Sequence, residues 1–157
     1  MILAFGKTGQ VATELQRSGD VLALGRDQAD LSDPVACAHR IQAFAPSAVI
    51  NAAAYTAVDK SEADEELATI INGDSPTVIA QVCAEMKIPF LHISSDYVFE
   101  GSGEEPWKPI NIMAPQNAYG RSKLIGEEGV LDSGAIHAIL RTSWVFSAHG
   151  NNFVKTM

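Results

Sequence analysis

Five short apolar runs divide the chain: "MILAFG", "DVLALG", "SAVINAAA", "IPFLHISS" and "AIHAILRTSW". None alternates apolar with polar residues along its length. Continuous runs of this kind suit strands buried on both faces, as in parallel sheets. Between them lie segments of helical character. "TGQVATELQRSG" predicts a helix with Val11, Ala12 and Leu15 facing inward and Gly19 just past its end. In "LSDPVACAHRIQAFAP", Asp33 suits an N-cap, Pro34 the first helical position, and Pro46 the stop. A longer helical region runs from Ser61 to Met86, with a break expected at "NGDSP", Asn72 to Pro76. The segment around Tyr119 reads as another helix. Strand–helix alternation with short connections predicts an α/β protein: a Rossmann-type doubly wound parallel sheet forming one domain over residues 1–157. The one long irregular stretch is Asp96 to Ala118, and loops of that length in compact domains are usually functional.

Composition narrows the functional classes. Hydrophobic residues make up 46% and charged residues 19%, as in a globular chain. A net charge of −8 argues against sequence-independent nucleic-acid binding, which relies on clustered Lys and Arg. No apolar run reaches membrane-spanning length and no signal peptide precedes the first strand, so no membrane partner and a cytoplasmic location are expected. Cys37 and Cys83 lie in apolar helical stretches and read as buried thiols. The four histidines are scattered, so no metal site is expected from them.

The first strand-to-helix turn, "FGKTGQVATEL", stands where doubly wound sheets bind dinucleotides. Gly6 and Gly9 allow a tight turn and close backbone approach, and Gln10 and Val11 open a helix whose N–H groups can meet a pyrophosphate. The spacing is G-x-x-G-x-x-A, with Ala12 where a third glycine is usual, and a glycine turn without ligand has the same appearance. At the end of the second strand, NAD enzymes usually place an acid on the ribose, whereas an arginine accommodates the extra phosphate of NADP. Here Gly25 takes the acid's place and Arg26 follows, which favours NADPH over NADH; Asp27 nearby pulls the other way, and a solvated surface Arg26 is the alternative.

"NAYGRSKLIGEE" sets Tyr119 and Lys123 four positions apart at a helix start, hence on one face. A positive charge beside a phenol lowers its pKa, so the pair can act as a proton donor and its electrostatic partner. Two unrelated surface residues give the same spacing.

The motifs "GKTGQV", "NAAAYTAVDKSE", "SSDYVFEG", "NAYGRSK" and "RTSWVF…GNNFVKTM" occur in one order along the whole chain. In this the sequence resembles the dTDP-4-dehydrorhamnose reductase family of extended short-chain dehydrogenases/reductases. The resemblance implies that Tyr119 protonates the C4 carbonyl oxygen of a dTDP-4-keto sugar. It implies that Lys123 holds the nicotinamide ribose and lowers the Tyr119 pKa, and that Ser95 donates a hydrogen bond to the same oxygen. Asp96 and Trp144 match positions contacting sugar or nucleotide. Asp30 and Leu31 would border the adenine, and Ala52, Ala53, Ala54 and Tyr55 would line the cofactor cleft. The cofactor implied is NADPH, with NADH as the second choice.

Members of that family are about twice this length, so the resemblance implies a cofactor domain with the substrate domain largely beyond residue 157, an exposed apolar surface where that domain would pack, and a homodimer as one assembly of the intact protein. Glu14 matches a carboxylate that binds magnesium between subunits in some relatives, and an exposed helix carboxylate is the simpler reading. Ser143 lacks a base partner, and "KSEADEELA" reads as a solvated helix face. The competing functions are a nucleotide-sugar epimerase or dehydratase of the same superfamily, and a non-catalytic NADP-binding regulatory subunit.

Overall fold

The computed structural model describes residues 1–157. Its five strands are β1 (Ile2–Phe5), β2 (Val21–Leu24), β3 (Ala48–Asn51), β4 (Phe90–Ser95) and β5 (His137–Thr142). All pair in parallel, in the order β2-β1-β3-β4-β5. That is the five-stranded doubly wound order, with its switch point between β1 and β3.

Helices α1 (Gln10–Ser18), α2 (Pro34–Phe44), α3 (Glu65–Thr69), α4 (Ser75–Met86), α5 (Ala118–Asp132) and α6 (Phe153–Thr156) complete the fold. Right-handed crossovers put α2, α4 and α5 side by side on one face and α1 on the other. Leu3, Phe5, Val49 and Phe90 from the strands meet Ile41, Ile79, Cys83 and Val130 from the helices in a continuous core. Both cysteines are buried there as free thiols, and burial pushes each up to about 12. The α1 face is covered less completely: Ala138 and Leu140 of β5 are exposed, as are Ile136, Trp144 and Phe146 around it. No helix is long and apolar enough to cross a membrane.

Local chemistry explains the helix ends. Asp33 caps α2 by accepting from the Ala36 N–H at 2.9 Å, with Pro34 as the first helical residue. Val11 and Leu15 of α1 are only half-buried, because that helix packs on the thinner layer; Ala12 alone is buried. The break expected at Asn72–Pro76 is instead a π-helical turn, Ile70–Asp74, joining α3 directly to α4. Its buried Asn72 closes the extra space: Oδ1 accepts from the Tyr55 N–H at 2.8 Å, and Nδ2 donates to the Tyr55 carbonyl and to Ser122 Oγ, both at 3.0 Å. Helix α5 comes so close to this turn that a Cβ at Gly126 would collide with the Asn72 carbonyl oxygen.

Nor is "KSEADEELA" merely solvated. Glu62 Oε1 accepts from the Ala118 N–H at 2.8 Å at the start of α5, beside the Asn117 cap on Gly120 N at 2.7 Å. Helix α5 in turn buries Ser122, Lys123 and Glu127. Glu127 is fully buried because Arg141 of β5 grips both its oxygens, at 2.9 and 2.6 Å. Arg141 also donates to the Pro109 carbonyl at 2.9 Å and lies 4.9 Å above the Phe99 ring, so one residue ties α5 to the long 96–118 stretch.

Candidate functional site

At the switch point the connections that leave β1 and β3 run to opposite faces of the sheet, which opens a cleft beyond the carboxyl ends of these strands. Gly6 follows β1 at φ 101°, and a Cβ on it would lie 3.2 Å from the Ala52 carbonyl carbon and the Ala53 nitrogen. Only glycine satisfies both the left-handed backbone and this approach. Gly9 is the N-cap of α1, has open space around it, and no side chain caps the helix. The first N–H groups of α1 therefore face the cleft with their share of the helix dipole.

Two adjoining cavities share Gly9 and Ala52–Ala54 as a common wall. The first, about 660 Å³, is bordered by Gly6, Gly9, Arg26, Asp30, Leu31 and Ala53. Arg26 is 75% exposed and gives its Nε to Asp30 Oδ2 at 3.0 Å. Asp30 Oδ1 accepts from the Ser32 N–H at 2.9 Å, and this bond, with Arg26 adding to it against a burial penalty, holds the carboxyl below its ordinary value. Tyr55 departs from expectation: its hydroxyl donates to Asp64 Oδ2 at 2.9 Å, away from both cavities, and Thr56 takes its place on the wall.

The second cavity, about 590 Å³, brings together Gln10, Val11, Ser95, Asp96, Tyr119 and Lys123, with Ser143 and Trp144 at its rim. Gln10 does more than open α1: its Nε2 donates to the Val145 carbonyl at 3.2 Å and its Oε1 accepts from Ser147 and Asn152, which anchors the 145–152 segment to the cleft. Trp144 is 73% exposed at φ 50° and stacks edge-on with Phe153 at 5.2 Å. The Ser95 hydroxyl accepts from the Tyr97 N–H and points its own proton at Asp96 Oδ1, each at 3.2 Å.

Tyr119 and Lys123 share the helical face, but their electrostatic relation differs from expectation. Burial pushes the Tyr119 phenol up, the Ser95 hydroxyl opposes this, and Asp96 reinforces it; Lys123 does not lower it. The reason is where Lys123 goes. Its Nζ turns down into the fold, donates to the Ile93 carbonyl at 2.7 Å and sits 3.5 Å from His92 Nε2. Burial lowers the ammonium to about 8, with Glu127 opposing. His92 and its neighbour Asn51 escaped the sequence reading; the signal available was a histidine inside an otherwise apolar strand.

Glu14 lies outside both cavities' polar contacts, with His149 Nε2 at 2.6 Å and Arg17 at 3.5 Å from its Oε1. No group of three His, Cys, Asp or Glu side chains is gathered to hold a metal ion.

Comparison with known proteins places the chain. The family model described as RmlD substrate binding domain matches residues 1–157. The dTDP-4-dehydrorhamnose reductase of Salmonella typhimurium is 44% identical over 99% of this chain and 55% of its own length. The crystal structure of a dTDP-4-dehydrorhamnose reductase from Clostridium acetobutylicum superposes with a TM-score of 0.93 at 37% identity, over 99% of this chain and 57% of that one. That of the Bacillus anthracis enzyme in complex with NADP gives 0.94 at 32% identity, over the same shares. The chain thus spans about half the length of the curated relatives it matches. With a family match over its full 157 residues, a parallel doubly wound sheet and a glycine turn at its switch point, it belongs to the RmlD substrate binding domain family.

Proposed function

We propose that this chain forms the cofactor-binding and proton-donating part of an NADPH-dependent reductase. The reaction is reduction of the C4 ketone of dTDP-4-dehydro-6-deoxy-L-mannose to dTDP-L-rhamnose. The observation that carries this reading is that the cavity holding Ser95, Tyr119 and Lys123 is continuous, through Gly9 and Ala52–Ala54, with the glycine cradle. The cradle fits a dinucleotide: Gly6 leaves no room for a side chain, Gly9 has space around it, and the uncapped α1 N-terminus suits a pyrophosphate. Arg26 is exposed enough to reach a ribose phosphate, and the NADP-bound relative supports that choice.

When bound, the nicotinamide supplies the hydride. The residues of this chain do the rest. Tyr119 is a neutral phenol at neutral pH, and burial only raises its pKa further, so its hydroxyl can give a proton to the C4 oxygen as negative charge develops there. Ser95 releases its proton from Asp96 to donate to the same oxygen, and Asp96 is then free to accept from a sugar hydroxyl. Lys123 reaches the cofactor ribose by leaving the Ile93 carbonyl. The relatives' greater length supports a further substrate-holding part, which we place beyond residue 157.

The test is NADPH oxidation with dTDP-4-dehydro-6-deoxy-L-mannose by the protein at the length of its relatives, beside Tyr119→Phe. The expected loss in kcat is about 10²–10⁴-fold with NADPH binding kept. Wild-type turnover by Tyr119→Phe would remove the tyrosine from the chemistry.

A further inference from the structure

Beneath the lysine end of the cleft, a buried polar line crosses three elements. Asn51 ends β3, and its register partner on β4 is His92, so their side chains stand next to each other on one face of the sheet. Lys123 reaches down to them from α5. All three are buried.

The hydrogen bonds fix which proton sits where. Asn51 Oδ1 accepts from the Ala53 N–H at 3.2 Å, which turns Nδ2 toward His92 Nδ1 at 3.3 Å. An amide nitrogen only donates, so Nδ1 must accept, and a neutral imidazole then carries its proton on Nε2. Burial, with Lys123 adding to it, holds the ring neutral. The Nε2–H is therefore aimed at Lys123 Nζ, 3.5 Å away. Against an ammonium this is donor facing donor; against an amine it is donor facing lone pair.

The other charged groups around the lysine do not reverse this. Glu127, one turn on along α5, favours the ammonium but is already gripped by Arg141 of β5. Tyr119, one turn back, is a neutral phenol whose pKa burial raises further, and Asp96, just past β4, is engaged by Ser95. The π-helical turn contributes neutral Asn72, with Asp74 exposed; Glu65 of α3 pairs with Arg121 at the surface, Glu85 of α4 is exposed, and His137 of β5 lies against its own Ala135 carbonyl.

We propose that Asn51 and His92 are positioning residues for Lys123: Asn51 locks the proton of His92 on Nε2, and that N–H makes Lys123 a weaker base than burial alone would. The catalytic meaning of this rests on Lys123 serving the cofactor as proposed above; the tautomer and the titration do not, and both are read without substrate.

NMR of protein carrying labelled histidine should find His92 as the neutral Nε2–H tautomer at neutral pH. A ring protonated on Nδ1, alone or together with Nε2, overturns the proposal. Asn51→Asp keeps the acceptor for Ala53 N–H and turns an acceptor toward Nδ1, so the tautomer should switch. The Lys123 titration, followed with labelled lysine and assigned by Lys123→Met, should then move up by about one pH unit or more. His92→Phe removes the donor without adding charge, and the Lys123 midpoint should rise there too. An unmoved midpoint in His92→Phe overturns the lysine half of the proposal, whether or not Asn51→Asp folds. A protein at its relatives' length that lacks reductase activity but shows these shifts would refute the proposed function and leave this inference standing.

Discussion

Lys123 Nζ donates a 2.7 Å hydrogen bond to the carbonyl oxygen of Ile93, so the only buried lysine of the chain is tied to the backbone of β4. Its pKa falls from 10.5 to about 8 on burial. Below pH 8 the folded and unfolded states both carry the ammonium, and the fold bears its desolvation. Between about 8 and 10.5 the unfolded state binds the proton and the folded state does not, so stability rises with pH across that window. The gain across that window is about 3 kcal/mol, since each pH unit between the two values is worth about 1.4 kcal/mol. Chemical denaturation at a series of pH values should show this rise in the wild type and a smaller one in Lys123→Met. Parallel curves for the two proteins would mean that the lysine titrates as an ordinary exposed one.

Arg141 makes a second claim testable. Its guanidinium neutralises Glu127, which has no exposure at all. Arg141→Met keeps much of the volume but leaves a buried carboxylate unpaired, which should cost about 3–5 kcal/mol. Because Arg141 also holds the Pro109 carbonyl and covers Phe99, proteolysis should move into the 99–113 stretch. Arg141→Met with Glu127→Leu should recover a large part of the stability while the loop stays loose. A single variant as stable as wild type would show that Glu127 takes up a proton or finds another partner.

These two sites also show where the sequence was legible and where it was not. Strands β1 to β5 stand out because burial on both faces demands uninterrupted apolar runs, and the turn after β1 because only glycine permits the backbone at Gly6. The Asp33 cap and Pro34 were legible for the same local reason. Helix α5 was harder: it buries Lys123, Glu127 and Ser122, which by type belong to a solvated face. Their partners, Ile93, Arg141 and Asn72, come from β4, β5 and the π-helical turn, and no local pattern announces such distant pairings. The same holds for Glu62, read as solvated yet capping a helix more than fifty residues later. The spacing of Tyr119 and Lys123 was visible; that the lysine points down to Ile93 rather than toward the phenol was not.

Arg26 carries the cofactor choice. Its present partner is Asp30, across an exposed pair worth roughly 0.2–1 kcal/mol, little enough for a phosphate to displace. A guanidinium–phosphate contact is worth about 1.5–3 kcal/mol, so Arg26→Ala should weaken NADPH about 10- to 150-fold and leave NADH nearly unchanged. Asp30→Asn frees the guanidinium and should not weaken NADPH through Arg26. Titration of both variants with both cofactors checks this; equal NADPH affinity in wild type and Arg26→Ala would take the phosphate away from Arg26.

The last prediction separates binding from turnover. On the proposed reading, the cofactor contacts run from Gly6 to Lys123, all within these 157 residues, whereas the curated relatives are nearly twice as long. Tyr119 and Ser95 can address a ketone only when it is held within about 3–3.5 Å of the reacting groups, and the cavity around them is open at the Trp144 rim, which is 73% exposed. The 157-residue chain should therefore bind NADPH by calorimetry yet turn over the sugar nucleotide far more slowly than the protein at its relatives' length. Its exposed Ile136, Leu140, Trp144 and Phe146 form an apolar surface, so the chain should also self-associate as its concentration rises. Equal kcat for the two lengths would mean that the substrate site is complete between Met1 and Met157, and that Trp144 and its neighbours close over the sugar without help.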